Sequence, residues 1–183
     1  MAKVLLGMTM SLDGFVQDRH GSVGRLFPDL AAEWQTEALQ EEIRTTGAVV
    51  MGRRAYDMAG GDFTAYEFQV PIFVLTHQAP ERVAKGENER LRFTFVTDGI
   101  ESAIDKAKAA AGDKRVSVIG GASTAQQCLN AGLVDELQID VRPVLLGAGL
   151  RLFEHLDADR IELEQTRVIE SSGVTHLWYR VVK

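Results

Sequence analysis

Cysteine is almost missing from this sequence. Cys128 stands alone among 183 residues, so no internal disulfide can form and packing must hold the fold. A reducing compartment, the cytoplasm, is the address this predicts. Cys128 falls at helical spacing with Ala125, Leu129 and Leu133, which reads as a buried thiol rather than a nucleophile. Long apolar runs are lacking too. No segment approaches the ~20 apolar residues that a membrane span needs, and the N-terminal stretch meets Asp13 too early for a secretory signal. Positive charge is scarce: the net charge of −6 argues against electrostatic binding to nucleic acid or to an anionic membrane. It leaves room for a local basic pocket that takes a small anion. His20, His155 and His176 have no metal-ligand spacing with Cys128 or with one another, so no metal is expected.

What is present fits a single globular domain spanning 1–183. Apolar residues make up 45% and charged residues 25% of the chain, as in ordinary globular proteins. A chain of this length buries roughly 70% of its unfolded surface, enough for a core without staples. Short apolar runs rich in Val, Ile, Leu and Phe recur as KVLLGMTM, GAVVMG, PIFVLT, FTFVT, RVSVIGG and ELQIDVRPVLL, each a candidate buried strand. Helical spacing appears between them over 29–46 (Leu30, Trp34, Ala38 or Leu39, Ile43), over 99–111 with Asp98 as the expected N-cap, and over 122–133. Alternation of strand and helix predicts right-handed crossovers and a mainly parallel sheet. The C-terminal IELEQTRVIE and VTHLWYRVV, joined by SSG, predict an antiparallel hairpin. The expected architecture is a three-layer α/β/α domain.

Ligands of such sheets bind where strands end and helices begin, and three of these ends carry chemistry. After VSVI come Gly120 and Gly121, side by side before a helix that opens with Ala122, Ser123 and Thr124. Paired glycines let a backbone approach a phosphate, and the helix N-terminus then faces the anion. The same stretch also reads as a tight turn, since it is not the G-x-G-x-x-G fingerprint. After GAVVM come Gly52, Arg53 and Arg54, whose guanidiniums suit phosphate oxygens or, equally, nearby carboxylates. After PIFVL come Thr76 and His77, donors to the same anion or members of a solvated turn. The loop SLDGFVQD, residues 11–18, follows the first strand, with Asp13–Gly14 as its turn signal and Phe15 able to fold over a bound ring. Asp57 reads as a cap or as a partner for Arg54.

The ordered set MSLDGFV, VVMGRRAYD, PIFVLTH, VSVIGGAS and AGLVDELQIDVRPVLLGAGLRLF resembles the dihydrofolate reductase-like superfamily. Within it the set is most similar to the reductase domain of bacterial riboflavin biosynthesis (the RibD C-terminal domain) and its stand-alone relatives. The resemblance implies a reductase using NADPH, similar to 5-amino-6-(5-phosphoribosylamino)uracil reductase. It places Gly52, Arg53, Arg54, Thr76 and His77 at the 2′-phosphate. Gly120, Gly121 and Ala122 fall at the turn against the pyrophosphate, and Ser11, Leu12 and Asp13 beside the nicotinamide and substrate; the residues themselves add Ser123 and Thr124 as candidate cofactor donors and Phe15 as a candidate substrate contact. Some positions depart from the pattern: Ala55 and Ala125 stand where relatives carry threonine and tyrosine, and Thr36 stands where dihydrofolate reductases have an acid on their first helix, flanked here by Glu33 and Glu37.

The expected reaction is hydride transfer to a C=N or C=O carbon of a small heterocyclic or sugar-derived substrate, with Asp13 and Glu37 as candidate catalytic proton donors. A nucleotide-binding sensor without turnover and a true dihydrofolate reductase are the alternatives. Trp178 and Tyr179 on the hairpin predict burial between two subunits and hence a homodimer.

Overall fold

The computed structural model describes residues 2–29, 36–171 and 173–182. Among the described residues, ten strands and four α-helices follow one another as β1 (Val4–Ser11), β2 (Phe15–Asp18), α1 (Glu37–Thr45), β3 (Thr46–Gly52), α2 (Arg53–Met58), β4 (Ile72–Leu75), β5 (Phe93–Val96), α3 (Ile100–Ala111), β6 (Arg115–Val118), α4 (Ala122–Asn130), β7 (Glu136–Arg142), β8 (Gly149–Arg151), β9 (Glu162–Ser171) and β10 (Val174–Val182). The main sheet has eight strands in the order β5-β4-β3-β6-β1-β7-β10-β9. Pairing is parallel from β5 to β7 and antiparallel for β7–β10 and β10–β9. This is the expected α/β sheet with its C-terminal hairpin.

Alternation along β3 builds the layers. Ala48 and Val50 point into one core, with Ala103, Ile104 and Ala107 of α3 and Ala125, Cys128 and Leu129 of α4. Val49 and Met51, one residue out of phase, point into the opposite core with Tyr56 of α2, Phe63, Ile72 and Val74, against which Leu39 and Ile43 of α1 pack. Cys128 is fully buried in the first of these cores, and burial pushes its thiol up to about 12, the inert state its spacing predicts.

Three local expectations are corrected. Helix α1 begins after Thr36, whose side chain accepts from the Leu39 amide; Leu30, Glu33 and Trp34 lie outside the described residues. Asp98 does not cap α3: Gly99 holds the cap position, and Asp98 accepts from Ser102 and Lys106 instead. The segment 11–18 is not a free loop either. Its second half is β2, which pairs with β8 in a separate two-stranded sheet.

Candidate active site

Gly52 ends β3 and caps α2; its amide donates to the Gly120 carbonyl at 2.7 Å. A Cβ on Gly52 would stand 2.5 Å from Thr124 Oγ1, so only glycine lets the β3 end and the α4 start close on each other. Thr124 is buried at this contact. Gly120 adopts φ +107 and Gly121 follows through a cis peptide. Among the described residues, no atom beyond its chain neighbours lies within 4 Å of where a Cβ on Gly121 would stand, so the backbone borders open space there. Helix α4 starts from Gly121 with neither a side-chain cap nor an acid in its first turn. Its first amides suit an anion by orientation and dipole. Ser123 is exposed beside them and accepts from Gln127.

Arg53 opens α2. Its Nε donates to the Asp57 carboxylate at 2.9 Å and its Nη1 to the Gln78 carbonyl at 3.0 Å, which ties the ends of β3 and β4 together. Asp57 is thus the partner of Arg53, not of Arg54, which is exposed. Thr76 donates to the Gln78 carbonyl at 2.8 Å and His77 is exposed next to it.

Beside the glycine edge lies a cavity of about 780 Å³, lined by Gly7 and Thr9 of β1, by Gly120, Gly121 and Ala122, and by Thr36, Leu39 and Glu42 on the α1 side. The side of β7 and β10 contributes Gln138, Asp140, Arg142 and His176, and the segment after α2 contributes Tyr66 and Glu67. Glu42 is buried, and its Oε1 has no hydrogen-bond partner among the described residues. Gly7 makes room for it, since a Cβ there would meet Oε1 at 3.3 Å. Burial first, and the neighbouring Asp140 charge second, push the Glu42 carboxyl up to about 7. Burial also raises Glu67. His176, buried on β10, faces its register partner Asp140 on β7, with Nδ1 2.7 Å from Asp140 Oδ1. Gln138 Nε2 reaches the same oxygen at 3.4 Å, and Trp178 Nε1 donates to Gln138 at 3.0 Å. The second nitrogen of His176, Nε2, is buried with no partner among the described residues.

The residues predicted for the substrate lie elsewhere. Ser11 is fully buried, donating to Asp13 Oδ1 at 2.6 Å and accepting from the Phe15 amide. Phe15 is buried under the Arg151 guanidinium, 4.4 Å from its ring centroid. Leu12 is exposed and lines no part of the cavity. Asp13 accepts from Ser11 and from the amides of Leu146 and Gly147, the last at 2.7 Å. These donors, Ser11 first, hold its carboxyl down at about 2. That is an anchor for the 146–147 turn and a poor proton source, which corrects its assignment as catalytic. Glu37, at the exposed start of α1, also lies outside the cavity wall. Glu42 and Asp140, which do line it, went unnoticed in the sequence, and His176, which lines it too, was weighed there only as a metal ligand. Among the described residues, no group of three or more His, Cys, Asp or Glu is placed to hold a metal ion.

The fold agrees with comparisons to known proteins. The model of the RibD C-terminal domain family matches residues 2–177. The uncharacterized protein YyaP of Bacillus subtilis is 28% identical over 186 residues, covering 97% of this chain and 94% of that protein. A putative riboflavin biosynthesis protein from Shewanella superposes with a TM-score of 0.80 at 24% identity, covering both chains in full. The dihydrofolate reductase of Enterococcus faecalis, solved with NADP(H) and RAB-propyl, superposes with a TM-score of 0.64 at 16% identity, over 99% of this chain and 97% of that one.

Proposed function

The chain belongs to the RibD C-terminal domain family, and from that footing we propose that it is an NADPH-dependent reductase acting on a C=N or C=O carbon of a small heterocyclic or sugar-derived substrate. One observation carries this reading. The sheet order β4-β3-β6-β1-β7 sets the basic strand ends, the glycine edge and the cavity in one line. Strands stand about 4.8 Å apart, so this row matches an extended dinucleotide that enters at Arg53 and ends beside the substrate.

The glycine edge fits the nucleotide: open space at Gly121 and uncapped amides at the start of α4 suit a pyrophosphate. Arg53, held by Asp57 and the Gln78 carbonyl, would meet the 2′-phosphate, with Arg54, Thr76 and His77 around it. When bound, the cofactor supplies the hydride. The chain itself must supply the proton, and Glu42 is the carboxyl in the cavity wall that still holds one near neutral pH.

The open edge of β9, with Leu163 and Val168 exposed, supports pairing with a second copy of the chain. The test of the reaction is loss of NADPH absorbance across a panel of cyclic imines, lactams and sugar-derived carbonyls. Turnover with at least one member, reduced at least tenfold in Glu42→Leu, supports the reading. Tight NADPH binding with no oxidation across the panel would favour a sensor.

A further inference from the structure

Glu42 Oε1 and His176 Nε2 are buried polar atoms without a partner among the described residues, and both side chains line the cavity. An unsatisfied buried polar group costs roughly 1–3 kcal/mol, so two in one cavity wall point to a ligand that completes them. Asp140 links the pair: its charge acts on Glu42, and its Oδ1 is 2.7 Å from His176 Nδ1. A carboxylate can only accept, so Nδ1–H donates to Asp140, and in the neutral form of the ring Nε2 carries a lone pair. A protonated Glu42 therefore offers a donor and His176 an acceptor.

We propose that Glu42 and the Asp140–His176 pair read a neutral acceptor–donor edge on the substrate, that is, a ring C=O or C=N next to an N–H, as in a lactam or cyclic amidine. The inference rests on this cavity being the substrate site of the reductase. Glu42 is the acid that faces the acceptor atom, and His176 takes the neighbouring N–H. Anionic ligands are disfavoured beside Glu42, since the Asp140 and Glu67 carboxyls act on it. The other groups that bear on Glu42 are Tyr66, whose ionisation it opposes, and Arg115 and Ser117 of β6, which favour its charged form.

Matched neutral probes test this: 2-pyridone carries the acceptor–donor edge, and N-methyl-2-pyridone lacks the donor. Binding is followed by NMR of methyl-labelled methionines, because Met8 and Met58 line the cavity. With Glu42 titrating at about 7, 2-pyridone affinity is expected to fall about tenfold from pH 6 to pH 8. Glu42→Gln, which keeps an N–H donor at every pH, should retain binding and lose that dependence. Glu42→Leu and His176→Leu should each weaken it at least tenfold, and N-methyl-2-pyridone should bind at least tenfold more weakly than 2-pyridone to the unaltered protein. Equal affinity for the two probes, or pH-independent binding of 2-pyridone, overturns the proposal even where the leucine variants fail to fold. NADPH added to the same samples separates the two readings. A cofactor-induced shift without pyridone discrimination removes this inference alone, and pyridone discrimination without a cofactor shift upholds it while removing the reductase reading.

Discussion

Replacing Asp13 by asparagine removes an anion to which Ser11 and the amides of Leu146 and Gly147 all donate. Its folded pKa, about 2, lies below the ordinary 3.8. The stabilisation is therefore complete above about pH 4 and lost as pH falls toward 2. Asp13→Asn should lower the melting temperature at pH 7, and the gap from the unaltered protein should close on acidification; a constant gap would contradict the assignment. Glu42 behaves in the opposite sense. Its pKa rises from 4.5 to about 7 on folding, so stability is intact below pH 4.5 and declines as pH climbs through 7. The full effect corresponds to about 3 kcal/mol. Denaturant titrations should find Glu42→Gln more stable than the unaltered protein at pH 8.5 and the two alike near pH 4.5. Their surroundings thus push the two carboxyls in opposite directions, Asp13 down and Glu42 up.

The junction of β3, α2 and α4 is the element on which the proposed cofactor edge depends. Gly52→Ala places a Cβ against Thr124 Oγ1, an overpacking that costs about 1–3 kcal/mol and should show as a lower denaturation midpoint. Edge strand β9 carries a second prediction. Val168→Lys should convert a dimer to a monomer in sedimentation experiments, and an unaltered protein already monomeric at micromolar concentration would refute the pairing. Elements such as β3, β4 and β6 were legible in the sequence because their apolar runs are continuous and their ends carry Gly or Arg. Strands β2 and β8 were not, since four residues at Phe15–Asp18 and three at Gly149–Arg151 gain their pairing only from tertiary contact. Glu42 was hidden for a related reason. It sits beside Glu37 and Glu41 on a short helix, and such a run reads as a solvated face until Gly7 and β7 close over it. Asp140 and His176 lie 36 residues apart and meet only through the β7–β10 register.

At the scale of the whole molecule, sheet order turns scattered signals into one site. Strand ends far apart in sequence become neighbours in the row β4-β3-β6-β1-β7. The resemblance covers the full set of motifs, but the residues it names at Ser11 and Leu12 line no part of the cavity, whose interior wall carries Glu42 and His176 instead. The reductase account turns on selective binding of a phosphorylated dinucleotide along that row. The most direct test is thermal unfolding of the protein with NADPH and with NADH, repeated on Arg53→Ala. Ligand at a hundred times its dissociation constant stabilises by about 2.7 kcal/mol. The account predicts a rise in melting temperature that is larger for NADPH than for NADH and loses that preference in Arg53→Ala. No rise with either nucleotide at millimolar concentration would contradict it.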